Sequence, residues 1–369
     1  MNKIKEGFSK EDIEENAVEE IANNFQGINP NMLLFFSSSK YDIDKIGQSF
    51  ENKFSDCNVI GCTTSGEIVS GKMLKESVVA MAFDESKLDE IKVNLVENIG
   101  SKENLQETFA NFKNYYEKSM KELDPDKYVG IILIDGLSGS EEKVMDSIGN
   151  LTNILFIGAS AGDDLKFKET KVYANTKSST NAAVLAIMKP VDGFDILKTQ
   201  SFDETGEKLI PTKVDEEARE VLEFNNKPAV EAYAEAVGTS PEKVSDKFMH
   251  NPVGLMVEGK PYVRSPQRAM DKKIKFYCNV KQGMELSVLE STDIVEDTKK
   301  AVNRKVEEMG EVTAIINFHC ILRTLELEQI EKTEEYGKIF TDIPTIGFST
   351  YGEEYIGHIN QTSTMLFFK

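Results

Sequence analysis

Apolar residues in this chain alternate between strand-length runs and helical stripes, in an order that returns along the sequence. The apolar run Met32–Ser37 precedes a helical stripe at Asp42–Phe50, a strand that ends at Ile60, and a closing strand at Ser77–Phe83. Short continuous apolar runs are typical of buried strands, whereas spacings of three or four residues are typical of helices. This order predicts a unit of strand, helix, strand, loop and strand.

The same order of elements occurs twice more. Three copies of one unit indicate internal duplication rather than chance. Each copy has a glycine after its second strand, and Gly61 and Gly158 are 97 residues apart, whereas Gly158 and Gly347 are 189 apart. The doubled gap predicts a degenerate fourth copy near Gly254. The elements of the second and third copies are predicted at Val129–Ile134, Ser138–Ile148, Ile154–Ile157, Ala182–Met188, Thr313–Phe318, Glu326–Tyr336, Pro344–Ile346 and Ser363–Phe368.

The repeats predict a mixed α/β fold, with two domains built from repeated strand–helix–strand–loop–strand units in mixed sheets. The domain boundary is predicted where Pro190 and Gly193 follow a closing strand, because these residues interrupt regular structure. The predicted domains are therefore residues 1–190 and 191–369. Further helices are predicted at Val214–Glu223, Pro228–Val237 and Asp293–Met309.

Charge and cysteine content narrow the function classes. The 369 residues include 43 Lys and Arg against 63 Asp and Glu, which gives a net charge of −20. A chain this acidic repels nucleic acids and anionic lipids, so neither is an expected partner. No run approaches the roughly 20 apolar residues that span a bilayer. The four cysteines are too scattered for a disulfide framework, which predicts a reduced, soluble, cytoplasmic protein.

Each repeat carries a glycine-rich loop directly after its second strand, at Gly61–Glu67, Gly158–Asp163 and Gly347–Glu353. Such loops expose backbone N–H groups that can surround an anion or a small polar ligand. A nucleotide triphosphate is not expected, because an acidic residue stands where a Walker A loop has lysine.

The polar side chains of these loops leave two alternatives. The acids Glu67, Asp163 and Glu353 could accept hydrogen bonds within their own turns, or they could face a cationic group of a ligand. The hydroxyl groups divide in the same way between turn capping and ligand contact, at Thr63, Ser160 and Ser349.

Cys320 and Arg323 are candidates outside the loops. Cys320 follows His319 on a predicted strand, where neighbouring side chains point to opposite faces, so these two cannot form a dyad with each other. Cys320 is therefore either a small buried hydrophobe or a nucleophile that needs a distant base. Arg323, three residues further on at the predicted strand end, could clamp a carboxylate through two parallel hydrogen bonds or form a structural ion pair.

Metal chemistry has little support in the sequence, because the three histidines show no short ligand spacing for zinc. A single histidine can still ligate haem iron. If haem binds, the expected ligand is His319 or His358. No other cofactor is expected.

Six segments together resemble the FIST sensory domain, in both its N-terminal and its C-terminal parts. The resemblance covers about residues 20–369 and depends on the order and spacing of the segments. No kinase, cyclase or receptor module is left over, so the resemblance implies a stand-alone sensory unit. The segments are Asn58–Glu67, Leu155–Asp164, Asn226–Tyr233, Asn251–Leu255, Cys320–Arg323 and Ile346–Thr362.

The resemblance implies ligand sensing rather than catalysis. Similar domains occur in signal-transduction proteins and are held to bind small molecules such as amino acids, and some similar proteins bind haem and respond to nitric oxide. We therefore expect an intracellular sensor for an amino acid or related small carboxylate, with a signalling protein as a partner. The alternatives are a haem-based nitric oxide sensor and an enzyme with Cys320 or Cys62 as its nucleophile. The expected pocket residues are Gly61, Cys62, Thr63, Gly66, Glu67, Gly158, Ser160, Asp163, Cys320, Arg323, Gly347, Ser349, Gly352, Glu353, Asn360 and Thr362.

Overall fold

The first repeat begins one strand earlier than the sequence predicts. In the computed structural model, which describes residues 3–369, Ile4–Ser9 pairs antiparallel with the closing strand of its own repeat. The predicted strands and the helix at Asp42–Phe50 are confirmed with small shifts of their ends. The elements of this repeat are β1 (Ile4–Ser9), α1 (Glu14–Asn23), β2 (Pro30–Ser38), α2 (Ile43–Lys53), β3 (Asn58–Thr64), β4 (Glu67–Val69), β5 (Lys72–Leu74) and β6 (Val78–Asp84).

The second repeat has the same eight elements in the same order. In both repeats a helix connects the initial strand, here called the flanking strand, to the next strand: α1 connects β1 to β2, and α3 connects β7 to β8. The elements are β7 (Leu88–Glu97), α3 (Lys102–Tyr116), β8 (Val129–Ile134), α4 (Glu141–Leu151), β9 (Phe156–Ser160), β10 (Val172–Ala174), β11 (Lys177–Ser179) and β12 (Ala182–Pro190).

The third repeat is interrupted in the sequence. Its flanking strand is followed by a run of short strands and helices before the repeat continues. The flanking strand and this run are β13 (Phe194–Thr199), β14 (Phe202–Leu209), β15 (Pro211–Asp215), β16 (Glu220–Phe224), β17 (Lys227–Pro228), α5 (Ala229–Ala236), a 3-10 helix (Pro241–Lys247), β18 (Val253–Val257), β19 (Lys260–Arg264), β20 (Pro266–Met270), β21 (Lys273–Phe276) and β22 (Leu286–Ser291).

The remainder of the third repeat differs from the others in having two helices between its parallel strands. The single helix predicted at Glu326–Tyr336 is wrong, because a helix begins directly after Cys320 and a second one follows it. The elements are α6 (Ile294–Met309), β23 (Ala314–Cys320), α7 (Ile321–Gln329), α8 (Thr333–Lys338), β24 (Thr345–Thr350), β25 (Glu353–Tyr355), β26 (His358–Ile359) and β27 (Ser363–Phe368).

Each repeat forms a six-stranded sheet with the same strand order. In each repeat one pair of strands is parallel, namely β2 with β3, β8 with β9 and β23 with β24. The closing strand of the repeat, which is β6, β12 or β27, pairs antiparallel with the first strand of that parallel pair. The mixed α/β fold with mixed sheets is therefore confirmed. The three orders are β1-β6-β2-β3-β10-β11, β7-β12-β8-β9-β25-β26 and β13-β27-β23-β24-β4-β5.

The last two strands of each sheet come from a different repeat. The hairpin β4–β5 of the first repeat extends the sheet of the third, β10–β11 of the second extends the sheet of the first, and β25–β26 of the third extends the sheet of the second. The three repeats thus exchange hairpins in a cycle, which gives this part of the molecule pseudo-threefold symmetry.

The inner faces of the three sheets share one hydrophobic core. Every second residue of the parallel strands contributes to it, as strand geometry requires, for example Phe36, Leu133 and Phe318. The outer faces of the first two sheets are covered by their own helices, which bury apolar clusters around Phe35 and Ile132 respectively.

The described residues separate into two compact units. The first, here called the repeat unit, contains the chain through Lys198 together with Lys299–His358 and Ser363–Lys369, and the second, the inserted unit, contains Thr199–Thr298 and Ile359–Thr362. The predicted boundary at residues 190 and 191 followed the end of a closing strand, whereas this division groups all three repeats by their shared core.

The inserted unit consists of two small antiparallel sheets around its own core. The helix predicted at Val214–Glu223 is wrong, because these residues form the hairpin β15–β16, which turns at Arg219 with a positive φ of 55°. The helices predicted around Ala229–Ala236 and Ile294–Met309 are confirmed. Gly254 lies in an antiparallel sheet between β19 and β22, so it does not belong to a fourth copy of the parallel repeat. Within residues 3–369, no helix has the length and apolar character needed to cross a membrane.

The three repeat glycines are required by the close approach of the parallel strands. A Cβ added to Gly158 would stand 1.7 Å from the carbonyl oxygen of Ile132, its register partner. The corresponding distances are 2.5 Å for Gly61 to Phe35 and 2.1 Å for Gly347 to Asn317. Backbone atoms cannot move away as a flexible side chain can, so the glycine spacing in the sequence records this contact.

We expect Gly158→Ala to lower the free energy of unfolding by about 1–3 kcal/mol or more, because the new methyl group overlaps a backbone carbonyl. The matched control is Gly149→Ala on the exposed face of α4, where no atom lies within 4 Å. The control should gain up to about 1 kcal/mol from helix propensity. Urea denaturation of both variants measures the difference, and equal stability of the two would contradict the close approach.

Candidate ligand-binding site

The three glycine-rich loops meet around the pseudo-threefold axis of the repeat unit. Backbone hydrogen bonds join each loop to the next: Gly162 N donates to Thr63 O at 2.9 Å, Ser160 N donates to Gly352 O at 2.9 Å, and Ser349 N donates to Gly66 O at 2.8 Å. We call this arrangement the loop ring, defined as Thr63–Glu67, Ser160–Asp164 and Ser349–Glu353. The structure therefore brings together the loops that the sequence singles out.

The acidic side chains of the loop ring accept hydrogen bonds from nearby loop residues. Glu67 accepts from the Thr64 hydroxyl, and from both the backbone N–H and the hydroxyl of Ser77. Glu353 accepts from the Thr350 hydroxyl at 2.5 Å, which repeats the Thr64–Glu67 contact in the third loop. These contacts hold the shape of the turns.

Asp163 is positioned differently from the other two acids. It accepts from the backbone N–H groups of Phe167, Lys168 and Glu169 and from the Tyr351 hydroxyl. Burial would raise the pKa of Asp163, but these hydrogen bonds outweigh burial and lower it. The carboxylate is therefore a fixed anchor for the segment that follows it.

Two cavities of the repeat unit open beside the loop ring. One, of about 310 Å³, is lined by Thr63 and Asp163 together with lysines of the segment after Asp163. The other, of about 300 Å³, is lined by Ser65 and by Ile321 and Leu325 of α7. Small-molecule sites in proteins begin at about this size.

A buried polar cluster lies on the outer face of the third sheet. The Tyr336 hydroxyl lies 2.9 Å from His319 Nδ1, and Asn317 Nδ2 donates to the same hydroxyl at 3.4 Å. The Ser363 hydroxyl donates to Asn317 Oδ1 at 2.7 Å. All four side chains are fully buried.

The same positions in the other two repeats are mostly apolar. By strand register, Asn317 corresponds to Phe35 and Ile132, which pack against the helices that cover the first and second sheets. Burying polar groups costs free energy that apolar residues do not incur. The third repeat thus departs from the packing pattern of its two relatives at this face. His319 corresponds to Ser37 and Ile134, and Ser363 corresponds to Val78 and Ala183.

The hydrogen bonds of the cluster surround Nδ1 of His319. Asn317 Nδ2 donates to the Tyr336 oxygen, and the Tyr336 hydroxyl contacts both His319 Nδ1 and the Ser363 hydroxyl, so these contacts are compatible with a ring proton on Nδ1 or on Nε2. Burial lowers the pKa of His319 well below its ordinary value, and the nearby charge of Arg323 adds to this effect. Within residues 3–369, Nε2 is buried and makes no hydrogen bond. His319 is therefore a neutral imidazole whose Nε2 is buried.

Arg323 lies one turn into α7, rather than at a strand end as predicted, and its side chain is 1% exposed. The next residue, Thr324, forms a 2.7 Å hydroxyl contact with Ser349 of the loop ring. Cys320 is the last residue of β23 and is buried. Three of the predicted residues, Cys320, Arg323 and Ser349, therefore lie near the His319 cluster.

The remaining predicted residues are distributed between the two units. Cys62 is fully buried in the central core, and burial raises the pKa of its thiol well above the ordinary value. Asn360 and Thr362 belong to the inserted unit, where the intervening Gln361 contacts Ser265 and the carbonyl of Met249.

His358 forms a buried ion pair with Glu354 in the hairpin of the third repeat. The two side chains are 2.9 Å apart, between Nδ1 and Oε1. Burial would lower the pKa of His358, but the carboxylate of Glu354 outweighs burial and raises it to about 9. The imidazole is therefore protonated at neutral pH. Within the described residues, no group of three or more His, Cys, Asp or Glu side chains is arranged to hold a metal ion.

Sequence reasoning missed Asn317, Tyr336, Ser363 and Glu354. The first three can be recognised only by aligning the repeats through strand register, because two helices lengthen the connection before Gly347. Glu354 acts in the sheet of the second repeat, and nothing in the sequence indicates that its hairpin is exchanged.

The comparisons with known proteins define the class of this molecule: its domains are sensory domains of signal-transduction proteins. A FIST N domain matches residues 31–227 and a FIST C domain matches residues 229–355. The chain belongs to the FIST family, as the resemblance predicted.

One relative is an uncharacterized protein of Methanocaldococcus jannaschii. It is 25% identical over 311 residues, which is 77% of this chain and 59% of the relative. The chain thus spans about three fifths of the length of this relative. The similarity carries no assigned activity.

The buried carboxyl group of Glu67 predicts a pH dependence of stability. Burial raises its pKa from 4.5 to about 7, although hydrogen bonds from Ser77 and Thr64 oppose the shift. The folded protein therefore keeps a proton between pH 4.5 and 7 that the unfolded chain has lost. Stability from this group is complete below pH 4.5 and decreases as the pH rises through 7, by up to about 3 kcal/mol.

In Glu67→Gln this decrease should disappear, because an amide does not titrate. Urea denaturation from pH 4.5 to 8 measures the free energy of unfolding of wild type, Glu67→Gln and the control Glu103→Gln, which removes an exposed carboxylate on α3. Parallel pH profiles for wild type and Glu67→Gln would contradict the assigned protonation.

Proposed function

We propose that this protein is a sensory unit that binds a small carboxylate-bearing molecule, such as an amino acid, at the polar cluster of the third repeat. The observation that carries the proposal is the buried Nε2 of His319, which makes no hydrogen bond within residues 3–369. A buried ring nitrogen without a partner is costly, and with the ring proton on Nε2 a ligand oxygen would satisfy it.

The charge of Arg323 supports an anionic rather than a neutral ligand. This guanidinium is close enough to His319 to lower the pKa of the imidazole. A positive charge beside a neutral N–H donor favours a carboxylate, because hydrogen bonds to an ionised acceptor are about twice as strong as neutral ones. Ser349 and Thr324 add hydroxyl groups at the edge of the same cluster.

Binding without catalysis is the second part of the proposal. Burial raises the pKa of the Cys57 thiol to about 12 and that of Cys62 well above its ordinary value, so neither supplies a thiolate at neutral pH. His319 and Cys320 are consecutive residues on β23. The cluster is thus better suited to hold a ligand than to transfer a group.

A sensor must convert binding into a change that a partner detects. We infer that the ligand favours one of two conformations of the third repeat and that a signalling protein binds one of them.

A cytoplasmic location fits the cysteines. Within the described residues none of the four forms a disulfide bond, which is typical of a reducing compartment.

Thermal unfolding and calorimetry with amino acids and small dicarboxylates test this proposal. We expect at least one carboxylate to raise Tm, and its methyl ester or amide to have a smaller effect, because the esters lack the charge that Arg323 would bind. Arg323→Lys keeps the charge but loses the paired hydrogen bonds, and should weaken binding by about tenfold or more.

His319→Gln should weaken binding of the same carboxylate. Tyr115→Phe, on the exposed face of α3, is the control and should leave the affinity for that carboxylate unchanged. Stabilisation by none of the carboxylates, or equal stabilisation by the esters, would reject the proposal.

A haem sensor is the second candidate, and one geometric feature favours it. In haem and metal sites, the ligating histidine is oriented by a hydrogen bond to its other nitrogen, and Tyr336 holds Nδ1 of His319 in this way. If Nδ1 carried the proton, Nε2 could ligate haem iron, which would supply a binding centre for nitric oxide. His358 fits less well, because it is protonated and Glu354 holds its Nδ1.

Absorbance spectroscopy after addition of haem distinguishes the two candidates. If haem binds through His319, the Soret band shifts, His319→Ala abolishes the shift and His358→Ala preserves it. An unshifted band in wild type would reject the haem candidate without affecting the carboxylate proposal.

A further inference from the structure

The pseudo-threefold symmetry singles out one hairpin position at which only one of the three repeats has a carboxylate. Each repeat glycine faces one residue of the hairpin that extends its sheet: Tyr173 faces Gly61, Ile68 faces Gly347 and Glu354 faces Gly158. All three hairpin residues are fully buried. At this position the sheets of the first and third repeats receive a tyrosine and an isoleucine, whereas the sheet of the second repeat receives a carboxylate.

A buried carboxylate is retained only if its surroundings compensate for lost hydration. Oε1 of Glu354 is compensated, because it accepts from Ser160 at 3.2 Å and contacts His358 at 2.9 Å. Oε2 is also buried, yet within residues 3–369 it has no hydrogen-bond partner. One oxygen of this carboxylate is thus satisfied, and the other remains available as an acceptor.

The groups around Glu354 give the site negative character. Glu141 and Glu142, in the first turn of α4, act electrostatically on both Glu354 and His358. Burial raises the pKa of Glu354, the imidazolium of His358 lowers it, and the charges of Glu141 and Glu142 raise it further. The negative potential that Glu141 and Glu142 add at this pair favours a further cation.

We propose that Glu354, positioned by Ser160, forms a binding site for an ammonium group, either the ammonium ion or a primary alkylammonium. An ammonium group donates hydrogen bonds, which is what the free oxygen of Glu354 accepts. A hard metal ion would need six or more oxygen ligands, and no such group is present among the described residues. This site lies at the second sheet and does not depend on the carboxylate site of the third repeat.

The proposal predicts a proton linkage. A bound ammonium group neutralises Glu354 and so removes part of the interaction that raises the pKa of His358. Binding near pH 8 should therefore release a fraction of a proton. The heat of binding should differ between phosphate and HEPES buffers, neither of which contains a primary amine.

Thermal unfolding of the full chain in four chloride salts tests the proposal. At concentrations about tenfold above Kd, ammonium and methylammonium should raise Tm by roughly 1–3 °C. Potassium has the same charge but no N–H, and tetramethylammonium has no N–H and is also too large for the site. Both salts should therefore change Tm only as much as any salt of the same ionic strength does.

Variants connect the effect to the site. Glu354→Gln should abolish the ammonium-specific shift, and Ser160→Ala, which keeps every charge, should weaken binding several-fold if Glu354→Gln does not fold. Glu103→Gln on α3 is the control and should behave as wild type. Equal shifts with potassium, no shift with ammonium, or an unchanged shift in the Ser160 variant would each overturn the proposal. Failure here would leave the proposed carboxylate ligand untouched, because the probes and the residues differ.

Discussion

The structure depends on the contact between two parallel strands at a glycine, made three times. At Gly158 the carbonyl oxygen of Ile132 occupies the space that a side chain would need, and Gly61 and Gly347 repeat the contact. Directly beyond each contact, the chain leaves one sheet and enters the next. The same glycines that permit the close approach therefore mark where the exchanged hairpins depart and where the loop ring forms.

Because the repeat unit has internal symmetry, each residue of one repeat can be compared with the residues at the same position in the other two. Where all three repeats agree, as at Phe36, Leu133 and Phe318, the shared residues serve the common core. Where one repeat departs, packing does not explain the choice. His319 replaces a serine or isoleucine of the other repeats, and Glu354 replaces a tyrosine or isoleucine, and among the described residues each has a polar atom without a hydrogen bond. Departure from the repeat is thus the criterion that selects candidate functional residues here.

The sequence predicted individual helices and strands better than it predicted which strands pair with one another in the sheets. Continuous apolar runs identified the parallel strands, and helical stripes identified α2, α4 and α6, because burial and periodicity are local properties. The strand β1 was missed, since this short edge strand has neighbouring charged residues, Lys5 and Glu6, and no continuous apolar run. The helix predicted at Val214–Glu223 failed because cross-strand pairing in β15–β16 overrides helical spacing.

The candidate site, like the fold, was predictable where its signal is local in the sequence and not where it depends on distant contacts. The glycine loops and Arg323 were recognisable from spacing and residue type. Tyr336, Asn317 and Ser363 are distant in the sequence and ordinary as residues, so only strand register reveals that they surround His319. The position of Glu354 depends on a hairpin exchange, and no periodicity encodes that.

The hairpin exchange also sets the order in which the molecule can be completed during synthesis. Ser70, beside the first hairpin, bonds to Thr345, 275 residues further along the chain. When the first repeat leaves the ribosome, its hairpin has no sheet to join, and the sheet of the second repeat lacks its last strands until β25 appears. Contacts this distant in sequence form slowly and leave strand edges exposed in the meantime. Partly folded forms of the repeat unit would therefore keep strand edges open to wrong pairing until the hairpin of the third repeat has formed.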